Sequence, residues 1–317
     1  MKKDTLRNTD LQIPPIILGG NVFGWTLQER ESINILDAAL DHGLHFIDTA
    51  NSYSHWVPGN KGGESEAIIG QWLKQKGGRD QVTLATKVGS SMGKGKPDLS
   101  KKHILEEVDH SLRRLNTDYI DLYQSHHDDL DTPIEETMEA YAALVKAGKV
   151  RYIGASNFSA QRFQAANEVA EAGGLPSYQS IQPEYNLYDR ENFEKELAPQ
   201  IDPSQVAVIS YYSLASGFLS GKYQSKEDLG KSKRGVGIEK YLTDRGRRIL
   251  KALHKTAQKY HTVPASIALA WLISQPKISA PIASATSLKQ VETLAEAGTL
   301  HLEKEDLDVL DNASAWE

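Results

Sequence analysis

The stretch His45-Phe46-Ile47-Asp48-Thr49-Ala50-Asn51-Ser52-Tyr53 decides the reading of this chain. An apolar strand core runs straight into an acid, and a tyrosine follows shortly after. Two later stretches end in the same way. Val82-Thr83-Leu84-Ala85-Thr86 runs into Lys87, and Tyr119-Ile120-Asp121-Leu122-Tyr123-Gln124 runs through Ser125 into His126. An acid, a tyrosine, a lysine and a histidine therefore stand at or just past the C-terminal ends of separate strands. They meet if those strands are neighbours in one parallel sheet.

Outward from that stretch, strand and helix alternate. Residues before and through Leu11–Pro15 read as a short N-terminal hairpin, and Ile16–Leu18 as a strand stopped by Gly19-Gly20. Helical spacing of apolar residues over 29–41, 64–74 and 101–115 separates strands at Leu44–Ile47, Val82–Lys87 and Tyr119–Gln124. Ser100 stands where a helix N-cap belongs, and Thr132-Pro133-Ile134-Glu135 reads as a cap, a first-turn proline and an early acid. Further strands are expected at Val150–Gly154, Ser180–Gln182, Val206–Tyr211 and Ile278–Ile282. Helices are expected over 159–172, Arg190–Leu197, Asp244–Lys259, Pro264–Ser274 and Leu288–Glu296, with an extra one at Lys304–Asn312. Eight βα units in 317 residues predict a single-domain α/β (β/α)8 TIM barrel. The rival, a doubly wound open sheet, usually carries Gly-x-Gly-x-x-Gly after its first strand, and Gly19-Gly20-Asn21-Val22-Phe23-Gly24 lacks that pattern.

Composition narrows the function. Acids outnumber bases 42 to 36, for a net charge of −6, which argues against nucleic acid as a partner. The absence of cysteine excludes disulfides, thiolate metal sites and a cysteine nucleophile. The basic start Met1-Lys2-Lys3 leads into no apolar run, so no signal peptide and no membrane association are expected, and a cytoplasmic protein is the default.

In a barrel the βα loops gather at one face, and adjacent strands lie about 4.8 Å apart, so Asp48, Tyr53, Lys87 and His126 can converge. Alternation along the third of these strands puts Leu122, Gln124 and His126 on one face. A free phenol titrates near about 10. A lysine cation beside it should favour the phenolate and lower that value, and an aspartate would hold the lysine charged. A histidine would orient the substrate oxygen. Such a set protonates a carbonyl that is gaining a hydride, and since no side chain donates hydride, a nicotinamide-type cofactor is required. Taken singly, each residue has a plainer reading: a helix cap, a surface charge, a loop aromatic, a core histidine. Four at consecutive strand ends do not.

At this point the chain resembles the aldo-keto reductase superfamily over nearly its whole length. Phe46-Ile47-Asp48-Thr49-Ala50, Tyr53, the Lys87 strand and Asp121-Leu122-Tyr123-Gln124-Ser125-His126 match the family's landmarks in order. The resemblance implies a carbonyl reductase acting on a small-molecule aldehyde or ketone, with Tyr53 as general acid, Lys87 and Asp48 tuning it, and His126 positioning the carbonyl. It also implies NADP as cofactor, with NAD usable. Gly20, Asn21, Val22 and Asp48 fall in its cofactor set. Ser156, Asn157 and Gln182 match the residues that bind the carboxamide, although Ser156-Asn157 read bare equally suit a helix cap. Tyr211 matches the aromatic that stacks on the nicotinamide. Ser213, Leu214, Ser216, Gly217 and Lys222 match the pyrophosphate loop, with Tyr212-Ser213 standing where relatives commonly have Ser-Pro. Ser284, Thr286 and Gln290 match the adenosine end, and Thr286 replaces a common arginine or lysine that would pair with a 2′-phosphate. The same family includes channel β-subunits, in which a barrel of this kind senses cofactor; the intact tetrad favours an enzyme.

Loops at the same face should select substrate. Phe23, Trp25, His55 and Trp56 are candidate walls beside Tyr53 and His126. Asp128, Asp129 and Asp131 read as a solvated loop, and no metal site is assigned to His126, His127 and Asp129. The long insert from Phe218 to Tyr241, with Lys222, Lys226, Lys231, Lys233 and Arg234, reads either as a surface loop or as a lid over the cofactor.

Overall fold

The computed structural model describes residues 4–93 and 95–316. Strands β1 (Asp4–Thr5) and β2 (Gln12–Ile13) pair antiparallel as the expected hairpin. The hairpin plugs one end of a barrel, where Leu6, Leu11 and Ile13 pack against Ile17, Phe46, Leu122 and Ile209. The barrel strands are β3 (Ile17–Gly19), β4 (Phe46–Asp48), β5 (Thr83–Val88), β6 (Ile120–Ser125), β7 (Val150–Ser156), β8 (Tyr178–Gln182), β9 (Ala207–Ser210) and β10 (Ala280–Ala283). They run parallel in chain order, and β10 closes on both β9 and β3. The sequence places each strand within a residue or two of where it lies.

The surrounding helices are α1 (Glu29–Asp41), α2 (Glu64–Lys76), α3 (Lys101–Leu115), α4 (Ile134–Lys146), α5 (Ala160–Gly173), α6 (Asp244–Lys259), α7 (Pro264–Ser274), α8 (Leu288–Ala297) and α9 (Lys304–Ser314). Their starts have local causes. The Ser100 hydroxyl accepts from the His103 amide and opens α3, which buries Ile104, Val108 and Leu115 along one side. Ser159 does the same for Arg162 at the start of α5. At α4 the expected arrangement differs: Pro133 is the cap residue, and the Thr132 hydroxyl donates to Asp129 at 2.6 Å. Asp129 also accepts from the Leu99 amide at 2.9 Å, so it ties two βα loops together and is neither a free solvated charge nor turned toward the histidines.

The helix expected at Arg190–Leu197 is a π turn over Phe193–Leu197 running into a 3-10 turn at Ala198–Gln200. Pro199 lacks an amide for a regular continuation. The insert also departs from a structureless loop. It folds into 3-10 turns at Ala215–Ser220, Lys226–Lys231 and Gly235–Tyr241, and it buries Phe218, Tyr223, Ile238 and Tyr241 completely or nearly so. Among the described residues, no helix is long and apolar enough to cross a membrane.

Candidate active site

Asp48 ends β4, Lys87 lies near the end of β5, and Gln124 of β6 is in register with Lys87. Alternation turns all three toward the barrel axis at its C-terminal end. The chain after β4 is held close by the Asn51 amide, which donates to the Lys87 carbonyl at 3.1 Å, and the turn brings Tyr53 back over the lysine. Lys87 is fully buried, and its three ammonium hydrogens have three acceptors: Asp48 Oδ2 at 2.5 Å, the Tyr53 phenol oxygen at 2.8 Å and the Thr49 carbonyl at 3.0 Å. The other Asp48 oxygen accepts from Gln124 Nε2 and Gln182 Nε2, each at 3.1 Å. A buried ion pair survives only when its remaining hydrogen-bonding capacity is met, and here it is. Gln124 was not among the residues singled out from the sequence, although its place on the His126 face of β6 was the available signal.

Burial lowers the Lys87 ammonium from its ordinary 10.5, against the pull of Asp48. The Tyr53 phenol is pushed well above 10 by burial and by the Asp48 carboxylate. This reverses the expectation that the lysine would lower it. The lysine charge is spent on Asp48, so the phenol faces a nearly neutral pair and keeps its proton. His126 lies beside Tyr53, with ring centroids 5.9 Å apart, and stacks on His127 at 4.7 Å. Burial first, then Lys87, His127 and His55, hold its imidazole well below 6.5 and therefore neutral.

A cavity of about 1110 Å³ starts at Tyr53, His126 and Trp56 and continues to Thr286, Lys289 and Gln290 at the start of α8. Ser156, Asn157, Gln182 and Tyr211 line it near the tetrad. Asn157 donates to the His126 carbonyl at 2.8 Å and accepts from the Tyr211 hydroxyl at 2.7 Å. Past β9 the wall is the loop of Ser213, Leu214, Ser216, Gly217 and Lys222. Ala215, Ser216 and Gly217 are consecutive left-handed residues, with φ of 46°, 57° and 101°. Two of them are not glycine, and such strain concentrates at ligand-binding backbone. At the far end the Thr286 amide donates to Gln290 Oε1 at 2.8 Å, and Ser287 caps α8. The insert closes one side. Arg234 reaches Asn21 Oδ1 at 3.2 Å, where Ser284 also donates, and the Lys233 ammonium donates to the Trp25 carbonyl. Lys226 and Lys231, by contrast, pair with Glu239 and Asp228 and are not on the wall.

Most residues singled out in the sequence meet here, including Asn21, Val22, Ser284 and His55. Four do not line the cavity. Lys87 is fully buried behind Tyr53, to whose phenol oxygen it donates. Gly20 is enclosed behind it, its amide donating to the Asp48 carbonyl at 2.8 Å, and its neighbour Gly19 forms the wall instead. Phe23 is fully buried in the core, where its carbonyl accepts from the Ser54 hydroxyl. Trp25 backs the wall: it meets Trp56 edge-on at 5.5 Å while Arg234 lies over its face. Arg234 and Ser52 are wall residues that the sequence reading did not assign to the site. Among the described residues, no cluster of three metal-ligand side chains is found.

The Aldo/keto reductase family model matches residues 15–315. The chain belongs to the aldo/keto reductase family. Among curated proteins it is 35% identical over 320 residues to an uncharacterized oxidoreductase, YrpG, of Bacillus subtilis (strain 168), covering 98% of this chain and 95% of that protein. It is 36% identical over 295 residues to the aldo-keto reductase YhdN of the same organism, covering 91% and 85%. It is also 32% identical over 300 residues to a probable voltage-gated potassium channel subunit beta of Arabidopsis thaliana, covering 92% and 89%. The family is one of oxidoreductases that generally use NADP(H), and its members similar to this chain carry both enzyme and channel-subunit names.

A dinucleotide fits this aldo/keto reductase on chemical grounds. Lys222, Lys233, Arg234 and Lys289 all line the cavity, and among the described residues none of them pairs with a carboxylate. In a chain of net charge −6, such a run of uncompensated cations suits an elongated anion.

Proposed function

We propose that this protein reduces aldehyde or ketone carbonyls with a nicotinamide dinucleotide, preferring NADPH to NADH, and that Tyr53 is the proton donor. The observation that carries the reading is the Lys87 ammonium, which donates to both Asp48 and the Tyr53 phenol at the deep end of a cavity lined by unpaired cations. When bound, the nicotinamide supplies the hydride that no side chain can give.

The protein groups have separate tasks. The Tyr53 phenol, kept protonated by its surroundings, donates its proton to the carbonyl oxygen as charge develops there. The Lys87 hydrogen bond then stabilises the phenolate left behind, and its strength grows as that charge appears. Asp48, anchored by Gln124 and Gln182, holds the ammonium on that line. Neutral His126 orients the carbonyl oxygen. Ser156, Asn157, Gln182 and Tyr211 would hold the nicotinamide end. The loop from Ser213 to Gly217, with Arg234 and Lys222, would take the pyrophosphate, and Thr286, Lys289 and Gln290 the adenosine end. Trp56 and His55 wall the mouth where the substrate enters.

A second reading has support in the likeness to a probable channel subunit across 92% of this chain. In that case the barrel binds cofactor and turns over very slowly. A panel of aldehydes and ketones assayed with NADPH and NADH separates the two. Steady multiple turnover supports the reductase; tight cofactor binding with no turnover on any member supports the sensor.

A further inference from the structure

Ser52 stands one residue before Tyr53 and is 2% exposed. Its carbonyl accepts from the His55 amide at 3.2 Å, which fixes the turn. Its hydroxyl lies 3.2 Å from His126 Nδ1 and, among the described residues, has no other partner. The opposite ring nitrogen, Nε2, has no partner there either, and His126 lines the cavity next to Tyr53.

A neutral imidazole carries one hydrogen, on either nitrogen. If Nδ1 carried it, that hydrogen would go to the Ser52 oxygen. The buried Ser52 proton would then lack an acceptor, and Nε2 would turn a lone pair toward the incoming carbonyl oxygen. If Ser52 donates instead, its proton and Nδ1 are both satisfied, and Nε2 carries a hydrogen into the cavity. We propose that Ser52 is a positioning residue, whose hydroxyl donates to Nδ1 and holds His126 in the tautomer that presents Nε2–H to the carbonyl. The choice exists because the ring stays neutral among burial, Lys87, His127 and His55. Tyr53 also faces the ring, and Asn157 binds only its backbone carbonyl. The inference rests on the carbonyl-reductase reading for its kinetic consequence, but not for the tautomer itself.

The test is 15N NMR of the full-length protein with labelled histidines, the His126 signals being assigned by their loss in His126→Gln. The wild type should show a protonated Nε2 and an unprotonated Nδ1. Ser52→Ala should shift the ring toward a mixture, and Ser52→Thr, which keeps the hydroxyl, should restore the wild-type pattern. With a carbonyl substrate, Ser52→Ala should lower kcat about 3- to 10-fold, the range of one hydrogen bond, with the KM for cofactor unchanged. A wild-type ring protonated at Nδ1, or the same tautomer in Ser52→Ala as in wild type, would overturn the proposal. If Ser52→Ala fails to fold, Ser52→Cys, which keeps the size but donates weakly, takes its place: a shift toward a mixture supports the proposal and an unchanged wild-type tautomer overturns it. A protein with no turnover would instead defeat the reductase reading and leave the NMR result standing.

Discussion

The Lys87 ammonium lies 2.8 Å from the Tyr53 phenol oxygen, and its other two hydrogens are committed to Asp48 and to the Thr49 carbonyl. The phenol therefore receives one directed hydrogen bond from a cation whose charge is already largely balanced. That arrangement leaves the resting phenol protonated while keeping a donor aimed at the oxygen that becomes negative. The set is better suited to giving a proton than to holding a phenolate.

Tyr53→Phe keeps the ring and removes the proton donor. Turnover on a carbonyl substrate should fall by roughly the 10²- to 10⁴-fold that general acid catalysis contributes. The cofactor dissociation constant should barely move, since the lost hydroxyl faces Lys87 and Asp48. Single-turnover kinetics and fluorescence titration measure the two; near-normal turnover would remove Tyr53 from its assigned role.

Cofactor choice should respond to Thr286. Its amide and hydroxyl both point at Gln290 Oε1, so it offers a 2′-phosphate little beyond its exposed position, and Lys289 is the nearby cation on the wall. The wild type should prefer NADPH modestly, with usable NADH activity. Hydrogen bonds to charged groups contribute about 1.5–3 kcal/mol, so Thr286→Arg should raise the NADPH/NADH ratio of kcat/KM roughly ten- to hundred-fold. A wild type that already discriminates by several orders of magnitude, unaltered by the substitution, would show that another residue reads the phosphate.

The insert should behave as a lid anchored at Arg234. Its buried aromatics fix the base, whereas its reach across the cavity depends on Arg234 to Asn21 and Lys233 to the Trp25 carbonyl. Chymotrypsin should cut within residues 218–241 more slowly when NADPH is bound, and Arg234→Ala should reduce that protection. Equal cleavage of the wild type with and without cofactor would contradict a lid.

Gly70→Ala sets two effects against each other. In an exposed helix interior the change would favour folding by about 1 kcal/mol. Here an added Cβ would sit 2.0 Å from the Arg114 carbonyl oxygen and 2.7 Å from Leu115 C, both backbone atoms at the end of α3. Helices α2 and α3 would have to separate, and overpacking of this kind typically costs about 1–3 kcal/mol, so destabilisation should win. A urea midpoint unchanged or raised in the variant would refute the close approach.

Stability should fall on mild acidification. His126 is held well below 6.5 and His127 is lowered as well, so the unfolded chain binds more protons than the folded one once the pH drops past that value. The contribution is complete above pH 6.5 and is lost as the pH falls through it, by up to about 1.4 kcal/mol per pH unit for each such proton. Glu184, raised by burial and Asp189, works in the opposite direction, so the comparison must be with His126→Gln. Urea midpoints between pH 7.5 and 5 should decline more steeply in the wild type than in that variant. Parallel declines would mean His126 titrates normally.

What the sequence determined by itself was the barrel and which side chains stand at the C-terminal ends of its strands. Strand and helix periodicities are local, so the alternation was legible, and α6 and α7 begin and end where their patterns do. Placing Asp48, Lys87 and His126 at strand ends needed only the rule that βα loops share one face. Tertiary structure decided the rest, because those outcomes depend on contacts between distant segments. Trp56 faces the cavity while Phe23 is folded into the core, a matter of how two loops turn. Arg234 meets Asn21 across 213 positions, and Ser52 meets His126 across 74, with no periodic pattern to announce either pairing. The phenol's direction of shift likewise followed from burial and from Asp48 taking up the lysine's charge, quantities that exist only once the chain has closed around them.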